Sequence, residues 1–215
     1  ENKRRKVHQA QEKPEVLARR CSDSNHHRSA FFLSRHFINN DKTTEVANAE
    51  ELPQVATLFN ADSAYTFCSQ QCGFGPRIMN SEAHDKCAAY IIDKFKSYGL
   101  KVIEQDATLK GYDGTELKAK NIIASINPDN PRRILICAHW DSRPWADNDP
   151  LESNHKTPVL AANDGASGVA VMLEIARISA LDSTVFAGVG VDFICLDAEG
   201  WGTPQWADVE PDEDT

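Results

Sequence analysis

Three short segments bring together the side-chain types that acid–base and metal chemistry need. Ala161-Ala162-Asn163-Asp164-Gly165-Ala166-Ser167-Gly168 is a turn of small residues carrying one carboxylate, Asp164. His139-Trp140-Asp141 and Asp197-Ala198-Glu199 each follow an apolar run, at 133–138 and 189–196. A borderline cation such as zinc is bound by imidazole nitrogen and carboxylate oxygen, and a catalytic site keeps one position open. A carboxylate beside such a metal serves as a proton shuttle. Asp164, His139 and Glu199 supply those types. Each also has an ordinary reading: an Asp after Asn at a helix start is a cap, a lone His is a satisfied structural residue, and a Glu at a strand end is a solvated loop residue. Their common placement at the ends of apolar elements favours the joint reading, a metal site.

Those ends have to be positioned by a sheet and its helices. The run 133–138 (Arg-Ile-Leu-Ile-Cys-Ala) and the run 189–196 are continuously apolar, as expected of strands covered on both faces. Between them, 164–181 is a helix that is apolar over most of its circumference and belongs against a sheet. Strand, helix and strand make a βαβ unit with a parallel pair, and sites of such folds form beyond the carboxyl ends of the strands. Upstream, helical spacing covers 62–72, closed by Gly73-Phe74-Gly75-Pro76, and 81–98, closed by Gly99. Shorter strands are expected at 101–109 and 120–126, with turns at 111–114 and 127–131. The fold class is α/β: a three-layer sandwich around a mixed, mostly parallel sheet.

Composition narrows the rest. The chain has 215 residues, 41% hydrophobic and 26% charged, enough for one domain with length left over. A net charge of -9 argues against a nucleic-acid partner, which needs clustered Lys and Arg. No apolar run approaches the ~20 residues of a membrane span, and no secretory hydrophobic region is present. Residues 1–54 read as a basic tail without apolar periodicity, disordered or poorly packed, with His26 and His27 a remote metal-binding alternative. The domain occupies 55–207. Residues 208–215 hold five acids and build no core element, so the domain reads as incomplete, a fragment with its sheet left bare along an edge and a face. Cys137 and Cys195 read as core residues. Cys68, Cys72 and Cys87 fit no standard zinc spacing, and a disulfide among them is left open.

Four motifs, in this order, resemble a known family: Phe74-Gly75-Pro76-Arg77, the run from Ala138-His139-Trp140-Asp141-Ser142-Arg143-Pro144-Trp145 to Asp147, Asn163-Asp164-Gly165-Ala166-Ser167-Gly168, and Asp197-Ala198-Glu199-Gly200-Trp201-Gly202. Their wording is similar to the zinc-dependent M28-type peptidases and, within that fold, to the bacterial glutaminyl cyclases (glutaminyl-peptide cyclotransferases), the Bacteroidetes type above all. The resemblance covers about residues 55–207. It implies one zinc ion, with Asp164 a ligand and Glu199 the general acid and base. It makes His139 a ligand only where a second metal site exists, as in two-metal aminopeptidases, and Asp141 the residue that orients His139. Trp201 and Trp206 are candidates for lining the substrate pocket. The implied substrate is a peptide with a free N-terminal glutamine, closed to pyroglutamate with loss of ammonia, and the implied location is exported or periplasmic.

Two departures qualify that picture. The family places an acid directly after the catalytic Glu, as a zinc ligand; here that position is Gly200. The family's last zinc ligand, a downstream His, falls beyond Thr215. The resemblance therefore supports a glutaminyl cyclase first, an M28 zinc aminopeptidase second, and a catalytically dead or incomplete M28-like domain third.

Overall fold

The computed structural model describes residues 55–207, and the expectations for 1–54 and 208–215 lie outside the described residues. A short helix α1 (Val55–Leu58) leads into α2 (Ala61–Gly73) and α3 (Glu82–Ser97). The Asn60 side chain accepts from the Ser63 N–H at 2.9 Å to start α2, and the Ser81 hydroxyl accepts from the His84 N–H at 3.2 Å to start α3. Glu82 and Asp85 in the first turn of α3, and Lys94 and Lys96 in its last, complement the helix dipole. Gly99, at φ +79°, closes α3 with its N–H on the Lys96 carbonyl. The apolar stripe of α3 is buried as its spacing predicts: Cys87, Ala88, Ile91, Ile92 and Phe95.

Strands β1 (Lys101–Lys110) and β2 (Glu116–Ile126) form an antiparallel hairpin, followed by β3 (Arg133–His139), α4 (Ser167–Leu181) and β4 (Gly190–Leu196). Spatial order is β1-β2-β4-β3. The β2–β4 pair is antiparallel and the β3–β4 pair parallel, so the sheet is mixed and open, with α4 in the crossover between its parallel strands. This places the last residues of β3 and β4, His139 and Leu196, side by side in register. Two of the three site segments begin there, and the third, the Asp164 turn, leads into α4.

The helices pack on the face built by Ile122, Ala124, Val191, Phe193 and Cys195, joined by Phe95, Val169, Met172 and Leu173 in one cluster. Phe95 stacks on Phe193 with ring centroids 5.5 Å apart, and burying a side chain of this size stabilises the fold by about 1.5–3 kcal/mol. Glycine brings α4 close to the sheet: a Cβ on Gly168 would lie 2.7 Å from the Ala138 Cβ.

Burial of β3 differs from the expectation. Leu135 is 61% exposed, and Ile134 and Cys137 are exposed too. The cause is topological, because β3 is an edge strand and the described helices cover one face only. The opposite face carries Ile103, Ile123, Ile194 and Cys137, aligned across the four strands by the register. A continuous apolar run marks β3 as a strand but does not reveal which neighbour covers it. All five described cysteines are free thiols, and Cys195 alone of the Cys137–Cys195 pair is a core residue.

Candidate active site

The helix after the Asp164 turn begins later than the periodicity suggests. Its N-cap is Ala166, without a side-chain cap, so Asp164 is not a capping residue. Residues Ala162–Ala166 form a distorted turn, with Asp164 at φ -86°, ψ 93° and Gly165 at φ +112°. A side chain at Gly165 would meet the Asp141 carbonyl oxygen at 3.0 Å and His139 Cε1 at 3.1 Å. Glycine is thus the residue that lets this turn close onto His139. From α2, the Gln71 amide donates to the Ala166 carbonyl at 3.0 Å and the Cys68 thiol to the Ala162 carbonyl at 3.3 Å, so both ends of the turn are held.

Asp164 and His139 meet as paired groups: His139 Nε2 lies 2.9 Å from Asp164 Oδ1. On the other side of the ring, Nδ1 lies 3.3 Å from Asp141 Oδ1 and 3.5 Å from Glu199 Oε2. Asp141 is fully buried, whereas the Asp164 and Glu199 side chains are 86% and 64% exposed. The imidazole sits among three carboxylates, and its pKa is raised to about 9, first by the hydrogen bond with Asp141 and then by Asp164 and Glu199, against the opposing effect of burial. Asp141 also accepts the Gly200 N–H on Oδ2 at 2.8 Å, tying the β3 end to the β4 end. Glu199, Asp164, His139 and Gly200 line one cavity of about 320 Å³ together with Arg143 and Val159.

Arg77 is buried completely beneath this arrangement. Its guanidinium donates to the carbonyls of Trp140 (2.9 Å), Leu160 (2.9 Å) and Ala161 (2.8 Å). One cation thereby fixes the chain between His139 and Asp141 relative to the chain that enters the Asp164 turn. The Phe-Gly-Pro-Arg motif contains this residue, but its type alone does not reveal the three acceptors. Sequence reasoning also missed His84, although the signal was there: it occupies the buried stripe of α3, one turn before Cys87 and Ala88.

Trp201 and Trp206 lie outside the cavity lining. Both pack edge-on against Trp145, at centroid distances of 5.4 and 6.0 Å. These ring contacts lace the loop after β3 to the loop after β4, as does Asp147, which pairs with Arg143 within its own loop (2.7 and 2.6 Å) and accepts the Gln205 N–H at 3.1 Å. The Arg143 guanidinium holds the Asp147 carboxyl down at about 2.

The spacing of the donors bears on whether they could hold zinc. Two ligands bound at about 2.0–2.1 Å on a tetrahedral ion stand roughly 3.3 Å apart. The 2.9 Å between His139 Nε2 and Asp164 Oδ1 opens to that distance with a small side-chain adjustment, and Asp141 behind Nδ1 is the kind of carboxylate that orients a metal-binding imidazole. These two donors fit. A third is not at hand: among the described residues no group of three or more His, Cys, Asp or Glu side chains is placed to hold a metal ion.

Comparison with known proteins bears on the same residues. Residues 121–203 match the family model of peptidase family M28. The chain is similar to the crystal structure of Bacteroides thetaiotaomicron glutaminyl cyclase bound to N-acetylhistamine, at 50% identity and a TM-score of 0.69, covering 73% of this chain and 52% of that one. It is similar to Tannerella forsythia glutaminyl cyclase at 46% identity and a TM-score of 0.69, with coverages of 72% and 52%. A Zn-dependent exopeptidase from Parabacteroides distasonis gives 49% identity, a TM-score of 0.68 and the same coverages of 72% and 52%. The chain spans about half the length of these solved structures. The segment that matches the family model contains His139, Asp141, Asp164, Glu199 and Gly200 together.

Proposed function

We propose that the protein is a glutaminyl cyclase, turning the N-terminal glutamine of a peptide into pyroglutamate and releasing ammonia. The observation that carries this reading is the convergence of His139, Asp164 and Glu199 on one cavity, in a chain about half identical to solved glutaminyl cyclases. Zinc held by Asp164 would supply Lewis-acid polarisation of the glutamine side-chain carbonyl. The substrate brings its own nucleophile, since the free α-amine attacks the side-chain amide carbon, Cδ, closing a five-membered ring as the bond from Cδ to the amide nitrogen breaks, and needs no second reactant. Glu199, exposed at the cavity, accepts a proton from that amine and delivers it to the departing ammonia. Asp141 holds the His139 ring, and Gly165 lets the turn bring Asp164 against it. Export of the protein belongs to the same reading. Among the described residues no helix is long and apolar enough to cross a membrane.

A second reading rests on the ligand-like spacing of His139 and Asp164. Two-metal aminopeptidase chemistry uses such a histidine as a ligand, and Glu199 would then activate a water for peptide hydrolysis. Gly200 supports a third reading, an M28-like domain without turnover. The deciding experiment measures zinc content after dialysis, then ammonia release from a glutaminyl peptide and amino-acid release from a leucyl peptide. About one zinc per chain with ammonia release supports the cyclase. Amino-acid release moves the assignment to the aminopeptidase, and no zinc with no product moves it to the inactive domain.

A further inference from the structure

The geometry points to His84 as a positioning residue for the site. It is buried on α3 and stacks on Trp140, with ring centroids 4.2 Å apart and planes 27° apart. Its Nε2 lies 3.0 Å from both oxygens of Asp197. A carboxylate only accepts, so Nε2 carries the proton and donates it. His84 thus touches both strand ends that bear the chemistry: Trp140 stands between His139 and Asp141, and Asp197 stands two residues before Glu199.

The Asp197 carboxylate, itself fully buried, sets the path of the chain after β4. Its Oδ1 accepts the Ala198 N–H at 2.9 Å, and its Oδ2 accepts the Lys120 N–H at 2.7 Å from β2. Ala198 turns at φ +67°, a left-handed conformation that a residue with a Cβ holds only when its surroundings impose it. That turn sends Glu199 to the cavity and Gly200 to Asp141. Lys120 completes the frame, because its carbonyl accepts the Trp140 indole N–H at 3.2 Å. His84 does not line the His139 cavity. It faces a separate recess with Asp85 and Lys118, so its action on Glu199 runs through Asp197 and Trp140. Any effect of His84 on turnover rests on the cyclase reading; its effect on the geometry does not.

The test is residue-resolved amide hydrogen exchange on the full 215-residue chain, which separates local from global opening. His84→Phe keeps the stack on Trp140 and removes the donor. Exchange at Ala198, Gly200 and Lys120 is expected to accelerate at least 10-fold, while Leu173 and Ala176 in α4 stay within about 3-fold of wild type. His84→Gln places an amide donor where Nε2 stood and is expected to restore protection. If His84→Phe does not fold, Asp197→Asn, which keeps the side-chain shape, is read the same way. Unchanged exchange at the three amides, or equal acceleration in α4, overturns the proposal. With a turnover assay on the same samples, kcat is expected to fall at least 10-fold with KM within 2-fold. A wild-type chain that releases no ammonia overturns the cyclase reading and leaves the exchange result to decide on His84.

Discussion

Replacing Arg77 by methionine tests whether one buried cation holds the site's two backbone segments together. The substitution keeps an unbranched apolar stem and deletes three charge-assisted hydrogen bonds, to the carbonyls of Trp140, Leu160 and Ala161. Their loss is unequal. The Ala161 carbonyl keeps the Ala166 N–H at 3.2 Å, and Leu160 is 47% exposed, so water reaches its carbonyl. The Trp140 carbonyl, on a fully buried residue, is left without a donor, which costs about 1–3 kcal/mol. Adding the partly compensated pair, and subtracting the relief of no longer burying a guanidinium, gives a net loss of about 3 kcal/mol, within the range for breaking a buried charged network. For a domain of this size that is a fall in Tm of roughly 6–12 °C. Circular dichroism melts and urea titrations of wild type, Arg77→Met and Arg77→Lys measure it. The lysine, with one ammonium in place of a fork, reaches fewer of the three carbonyls and is expected to recover less than half of the loss. A methionine variant melting within about 2 °C of wild type refutes the reasoning, since the carbonyls would then be satisfied without the guanidinium.

Three further outcomes follow from the same geometry. Glu199→Gln is expected to abolish turnover while leaving Tm and zinc content unchanged, because the side chain is largely exposed; retained turnover removes Glu199 from its role. Gly200→Asp adds the carboxylate the M28 pattern expects, but its Cβ would meet the Arg143 backbone nitrogen at 2.8 Å and Asp141 Oδ2 at 3.0 Å. It is therefore expected to cost about 1–3 kcal/mol of stability while tightening zinc binding at least 10-fold in equilibrium dialysis, and equal binding by both forms refutes the ligand assignment. Asp147 governs an acid transition: its folded pKa, about 2, lies below the unfolded value near 3.9, so its contribution is complete above pH 4 and is lost as pH falls toward 2. Screening at the part-exposed Arg143 limits that contribution to about 1–2 kcal/mol. Asp147→Asn is expected to flatten the difference between Tm at pH 5 and at pH 2.5, and an unchanged slope counts against the pair.

What was legible in the sequence were features carried by local pattern. The α3 stripe, the Gly99 stop, the β3–α4–β4 unit and the meeting of His139, Asp164 and Glu199 at the strand ends all follow from periodicity and turn chemistry acting over a few residues. What was not legible depended on non-local pairing. The exposure of Leu135 and Cys137 follows from the strand order β1-β2-β4-β3, which no single strand encodes. Asp164 looks like a cap until the turn is seen to end at Ala166 and aim the carboxylate at His139 instead. Trp201 and Trp206 have the right type for a substrate wall, yet both pack on Trp145.

Gly200 joins these threads. In sequence it reads as a deletion, a ligand position without a side chain. In the structure its N–H holds Asp141 Oδ2, while Asp141 Oδ1 faces the His139 ring. A Cβ there would press on the backbone of the 141–143 segment. The loop after β3 and the loop after β4 have therefore closed on each other through the space an acidic side chain's root would occupy, and Arg143 reinforces that closure by donating to the Gly200 carbonyl at 3.3 Å. Positioning and ligation compete at this residue. The same close approach that ties Asp141, His139 and Glu199 into one array leaves no room for another carboxylate on that path. Recovering a full donor set by substitution alone thus requires the 141–143 segment to move, and the stability lost by Gly200→Asp measures how firmly Arg143 and Asp141 hold it.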